Sequence, residues 1–370
     1  MFKNLARVRL PRRIAMTWLA AAMALAATTS GAQTTPPEPL KIGFVYVTPI
    51  GDAGWTFQHE QGRIAMQRAL GARVATTVVE GVAEGADAER VMRDLAASGH
   101  RLIFATSFGY LEPALRVAAD YPALRFEHAG GYKSAPNLAT YDARYYEARY
   151  LAGMLAGATS RSGIAGYVAG FPVPEVVQGI TACALGMLEA NPKAQVRVLW
   201  LNTWFDPARE REAALTLVNQ GADVLTNPTA SPAVAQAAQA LKVRLVANQS
   251  DMRRHAPDAQ LAAVTHHWGG HYTRVAQSVL DGRWTAAPVW GGMKDGLVAL
   301  SAIDPATPAA VRERIEARRQ DIEAGRFKPF AAPLVDNAGT VRLATGELDD
   351  RAIGAMNWFV KGVAGSVPRP

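Results

Sequence analysis

Residues 41–62, KIGFVYVTPIGDAGWTFQHEQG, decide how the rest of the chain is read. Ile42, Phe44, Val45 and Val47 form a short apolar run rich in β-branched and aromatic residues, the pattern of a buried strand, and Pro49 stops it. Gly51-Asp52-Ala53-Gly54 is turn chemistry. The run to Leu70 then sets Phe57, Ile64, Ala65, Met66 and Ala69 at helical intervals. In an open α/β sheet the loop leaving the carboxyl end of a strand faces the ligand crevice, so Asp52, Trp55, Thr56 and Phe57 are expected at its mouth.

Upstream, Lys3, Arg7, Arg9, Arg12 and Arg13 precede an apolar stretch from Ile14 to Ala27, and Ser30-Gly31-Ala32 offers small residues for cleavage. The stretch is about fourteen residues against the roughly twenty that span a bilayer. It predicts a cleaved secretory signal over 1–32, a flexible leader over 33–40, and a periplasmic product. No cysteine lies near the cleavage point, so a lipoprotein is not expected. The whole chain carries +7; the five basic residues of the signal leave about +2. That balance gives no reason to expect a nucleic-acid partner. Cys183 stands alone, which excludes an intrachain disulfide and a cysteine metal site.

Downstream, strand and helix alternate. Strands are expected at 73–79, 102–106, 125–128, 164–168, 196–201, 223–226 and 243–247, with helices at 86–98, 111–121, 145–158, 175–190, 207–220 and 233–241. This predicts an α/β fold: two doubly wound parallel-sheet lobes, too large together for one core. The first lobe is expected over 41–142 plus about 262–290, the second over 143–261 plus about 291–370, with several segments crossing between them as a hinge.

No phosphate-cradling Gly-x-x-x-x-Gly-Lys loop and no Gly-x-Ser-x-Gly elbow occurs. His266, His267 and His271 lack a neighbouring carboxylate and straddle a strand-to-helix junction, so neither a metal nor another cofactor is expected. Asp349-Asp350 reads as a helix N-terminus rather than a catalytic pair. The aromatics carry more information. Trp55, Phe57, Phe108, Phe171, Trp204, Phe205 and Trp290 all fall at expected strand ends, from both lobes. Such rings can sandwich a flat π-ligand, with stacking worth about 0.5–1.5 kcal/mol per pair beyond area burial. Ser107, Asn202, Asn227, Asn248 and Asp251, also at strand ends, could read its edges.

The ordered set FVYVTPIGDAGWTFQHEQGR, FATSFGY, RYLAGMLAG, WFDPARE and ANQSD resembles the BMP (basic membrane protein) family of solute-binding proteins of ABC importers, over essentially the whole mature chain. The resemblance implies a type I periplasmic binding protein-like fold, mostly purine nucleoside ligands, inner-membrane ABC permease partners and no enzymatic step. Carried over by position, it implies a ligand motif at Asp52–Trp55, a second-lobe stacking ring at Trp204, a ribose-contacting acid at Asp251, and a late Gly-rich segment, 290–296, that includes Trp290 and Lys294. Two positions depart: Thr56 replaces the usual Asn, and Glu127-His128-Ala129 replaces a strand-end Asp. Both changes remove polar lining and leave the aromatic clamp, which favours a free purine base such as adenine over a nucleoside, bound by a monomer. A flavin or other heteroaromatic ligand, a periplasmic sensor subunit and, less favoured, a nucleoside-cleaving enzyme are the alternatives. No acidic cluster of the kind that activates water accompanies Asp206 or Asp251.

Overall fold

Leu40, Ile42, Phe44 and Val45 are all buried in strand β1 (Leu40–Val45) of a computed structural model that describes residues 38–368. The expected export signal and most of the leader lie outside the described residues. Helix α1 (Trp55–Leu70) follows, then β2 (Val74–Val79), α2 (Ala86–Ala97), β3 (Leu102–Ala105), α3 (Leu111–Asp120), β4 (Arg125–Ala129) and β5 (Leu138–Ala143). Ala88, Val91, Met92 and Leu95 of α2 recur at i, i+3, i+4 and i+7 and are buried, the spacing that lays an amphipathic helix on a sheet. The second run comprises α4 (Tyr145–Thr159), β6 (Ile164–Ala169), α5 (Pro174–Ala190), β7 (Gln195–Trp200), α6 (Pro207–Asn219), β8 (Val224–Thr226), α7 (Ala233–Leu241), β9 (Arg244–Gln249) and β10 (Gln260–His266). Pro174 and Pro207 stand in the first turns of α5 and α6, where a missing N–H costs nothing.

The last third is α8 (Gly269–Leu280), β11 (Val289–Gly291), β12 (Val298–Leu300), α9 (Ala309–Glu323), a hairpin of β13 (Leu334–Val335) and β14 (Val341–Leu343), α10 (Asp350–Gly354) and β15 (Val363–Ala364). The first sheet runs β11-β5-β4-β3-β1-β2, all parallel. The second runs β12-β10-β9-β8-β6-β7-β15, parallel but for β12. Both belong to one compact unit that begins at Pro39.

Two segments differ from the sequence expectation. The strand near residue 262 joins the second sheet, beside β9, where its Leu261, Ala262, Ala263 and Val264 are buried; only α8 and β11 return to the first lobe. Strand β5 is an addition to the expected set, since LATYDA lacks a continuous apolar run. The chain thus passes between the sheets three times, at β5 to β6, β10 to β11 and β11 to β12. Asp349 caps α10 by accepting from the Ala352 N–H at 2.7 Å, while Asp350 pairs with Arg144 at 2.7 Å. The aspartate pair therefore does helix-terminus and ion-pair work. Among the described residues no helix is long and apolar enough to cross a membrane.

Candidate functional site

The carboxyl ends of strands from both sheets converge on a cavity with about 450 Å³ of empty space, part of it open to solvent. The first lobe contributes Val47 and Thr48 beyond β1, Trp55 at the start of α1, and Ser107 and Phe108 beyond β3. The second contributes Glu175 and Val176 in the first turn of α5, Trp204 beyond β7, Pro228 and Ala230 beyond β8, and Gln249 at the end of β9.

Each tryptophan is pinned by its indole N–H. Trp55 Nε1 donates to the Thr106 carbonyl at 2.7 Å, and its ring backs onto His59 at 4.6 Å and His266 at 5.8 Å between centroids. Trp204 Nε1 donates across the lobes to Glu84 Oε1 at 3.2 Å. The same carboxylate oxygen accepts from Ser107 Oγ at 2.5 Å and from the Gly109 N–H at 3.1 Å. Gly170 leaves room for the Trp204 ring, since a Cβ there would stand 2.7 Å from it. The lobes also meet at the turn before α1. Gly54, at φ +92°, lets its N–H reach Ser250 Oγ at 2.5 Å, and a Cβ on it would sit 2.3 Å from the Ala230 carbonyl oxygen. Asp52 beside it accepts from His255 Nε2 at 3.1 Å and pairs with Arg254 at 3.2 Å.

Of the residues singled out in the sequence, Trp55, Ser107, Phe108 and Trp204 line this cavity. Thr56 lies behind it, its hydroxyl 2.7 Å from that of Thr48. Phe171 braces Trp204 edge to face, 5.0 Å between centroids. Asn227 and Asn248 are buried at the ends of β8 and β9; the Asn227 amide donates to Thr229, while both Oδ1 atoms lack a protein partner. Asp251, Trp290 and Lys294 do not line the cavity. Asp251 is exposed and engaged with Gln260 Nε2 at 3.0 Å and the Arg253 N–H at 2.9 Å. Trp290 sits in β11 under the Arg144 guanidinium at 4.5 Å, facing an adjoining cleft, and Lys294 lines a third, separate cleft. These three were read from position along the chain, and the strand-end geometry turns them elsewhere.

The sequence reading missed Glu175 and Gln249. Gln249 sits at φ +68°, a conformation that strands rarely adopt; its amide N–H donates to the Pro228 carbonyl at 2.7 Å and its Oε1 is buried without a protein partner. The carboxyls of Glu175 and Asp142, at the end of β5, are both held above the ordinary range, chiefly by burial; for Glu175 the nearby Asp142 charge raises it further while Arg149 opposes. Burial keeps His59 neutral, pushing it down to about 3, and lowers His266 well below its usual value. His266 stands against Tyr145 at 4.2 Å and His271 faces Glu127 at 3.6 Å, so two of the three histidines have separate protein partners. Among the described residues no group of three His, Cys, Asp or Glu could hold a metal ion.

Residues 40–325 match the family described as ABC transporter substrate-binding protein, PnrA-like. A purine-binding protein of Brucella abortus is 45% identical over 333 residues, covering 90% of this chain and 95% of its own. A Haloferax volcanii protein named for an ABC transporter glucose-binding role is 36% identical, over 92% of this chain and 84% of its own. The solved ABC solute-binding protein of Aeropyrum pernix superposes with a TM-score of 0.68 at 19% identity, over 80% of this chain and 94% of that one, a likeness of fold.

Proposed function

The chain belongs to the PnrA-like family of ABC transporter substrate-binding proteins, and from that premise we propose that it captures a purine in the periplasm and delivers it to an ABC permease. The favoured ligand is a free base such as adenine. The carrying observation is the cavity itself: indole rings from opposite lobes, each fixed by its N–H, beside the unpartnered amide oxygen of Gln249. Rings supply stacking and shape, and a buried acceptor gains most from a ligand N–H. The relative named as purine-binding supports the same class.

Two positions favour the base over its nucleoside. Thr56 is tied to Thr48, and Glu127 accepts from Trp284 Nε1 at 2.8 Å, so neither offers the cavity a group for ribose hydroxyls. The protein binds and releases without a chemical step. A hexose is the second reading, favoured by the relative named as glucose-binding and by the affinity of indole faces for sugar rings. Isothermal titration of the mature protein with adenine, adenosine and glucose separates them. Adenine is expected to bind most tightly; tight adenosine binding without adenine binding would reverse the base assignment, and glucose binding alone would remove the purine.

A further inference from the structure

Glu175 is the second residue of α5 and lines the cavity with Trp55, Phe108 and Trp204. It also lines the adjoining cleft, together with Asp142 and Trp290. None of the hydrogen bonds or ion pairs among the described residues engages its carboxyl. A half-buried carboxyl without a protein partner leaves hydrogen-bonding capacity that a ligand in the cavity can take up. Building on the purine reading, we propose that Glu175 reads the edge of the bound base, giving one hydrogen bond to a ring nitrogen and taking one from the adjoining amino group.

The surroundings favour that two-way role. Asp142 at the end of β5, Tyr145 and Arg149 on α4, and Tyr167 on β6 act on it electrostatically, and Tyr132, Tyr141 and Arg351 line the adjoining cleft with it. Arg149 donates to Thr226 Oγ1 at 3.0 Å and lies over the Tyr167 ring at 5.4 Å, and it forms no ion pair with Glu175 among the described residues. Two carboxyls that share a cleft, with no ion pair to either among the described residues, resist both being charged. A carboxylate only accepts, whereas a carboxylic acid gives one hydrogen bond and takes one. Adenine presents an acceptor ring nitrogen beside a donor amino group, which fits the acid form and leaves a carboxylate facing a lone pair. The amide of glutamine offers the same donor and acceptor at every pH.

The test is titration with adenine at about pH 6 and about pH 9, with Glu175→Gln and Glu175→Ala compared with the unaltered protein. The acid form is populated at the lower pH, so affinity of the unaltered protein is expected to fall by about tenfold or more at the higher one. Glu175→Gln should hold its affinity within about threefold across that range, and Glu175→Ala should lose about tenfold or more at pH 6. The same pH dependence in Glu175→Gln, or undiminished binding by Glu175→Ala, would overturn the inference and leave the purine reading intact. No adenine binding by the unaltered protein at either pH would overturn both.

Discussion

Trp204 depends on three neighbours for its position: Glu84 takes its N–H, Phe171 braces its ring, and Gly170 makes room beneath it. A ring so fixed costs little entropy on binding, so its contact area converts to affinity with small loss. Trp204→Ala is expected to weaken adenine binding by on the order of 2–4 kcal/mol, read by calorimetry. An unchanged dissociation constant would place the ligand elsewhere. At this scale the sequence revealed ring types at strand ends, and that located Trp55, Phe108 and Trp204. It could not reveal which way a side chain turns. Asp251 follows β9 as directly as Gln249 ends it, yet it points to Arg253 and Gln260 while Gln249 reaches the cavity. Glu175 carries no signal in the sequence beyond its place in the first turn of α5, and only the folded chain sets it at the cavity, in a cleft it shares with Asp142.

Helices α4 and α5 approach until their backbones touch. A Cβ on Gly153 would lie 2.1 Å from the Cys183 carbonyl oxygen, and one on Gly186 would lie 2.0 Å from that of Tyr150. Backbone cannot swing aside as a flexible side chain can, so the helices must separate to admit a methyl group. Gly186→Ala is expected to destabilise the protein by about 1–3 kcal/mol, outweighing the roughly 1 kcal/mol that alanine contributes to helix propensity. Urea unfolding checks it, and equal or greater stability would show that the pair has slack. Elements with a continuous apolar run or a clear helical period, such as β1, β3 and α2, were legible from residue pattern alone. Strand β5 was not, because Thr140 and Asp142 interrupt its apolar residues and its strand character comes from pairing with β4 and β11.

Across the whole molecule, ligand and lobe contacts act on one equilibrium. At the rim of the cavity the lobes meet through Gly54–Ser250, Asp52–His255 and Trp204–Glu84, and the last two are exposed, where each such bond contributes little. A ligand held by residues of both lobes adds to these contacts and favours the closed arrangement. At a hundredfold excess over its dissociation constant, adenine should raise resistance to urea by roughly 2.7 kcal/mol, provided it binds only the folded protein. A bound ligand that leaves the unfolding midpoint where it was would mean equal affinity for the unfolded chain. The threefold passage between sheets, which the sequence suggested through its short trailing segments, reaches beyond energetics. The lobe that carries Trp55 is completed by residues from 269 to 291, after the lobe that carries Trp204 has been largely built. Neither lobe is therefore one uninterrupted stretch of gene, and a single recombination breakpoint cannot trade one for a homologue's. The lobe that carries Trp55 can be traded whole only by two separate exchanges, one for the residues up to 143 and one for 269–291.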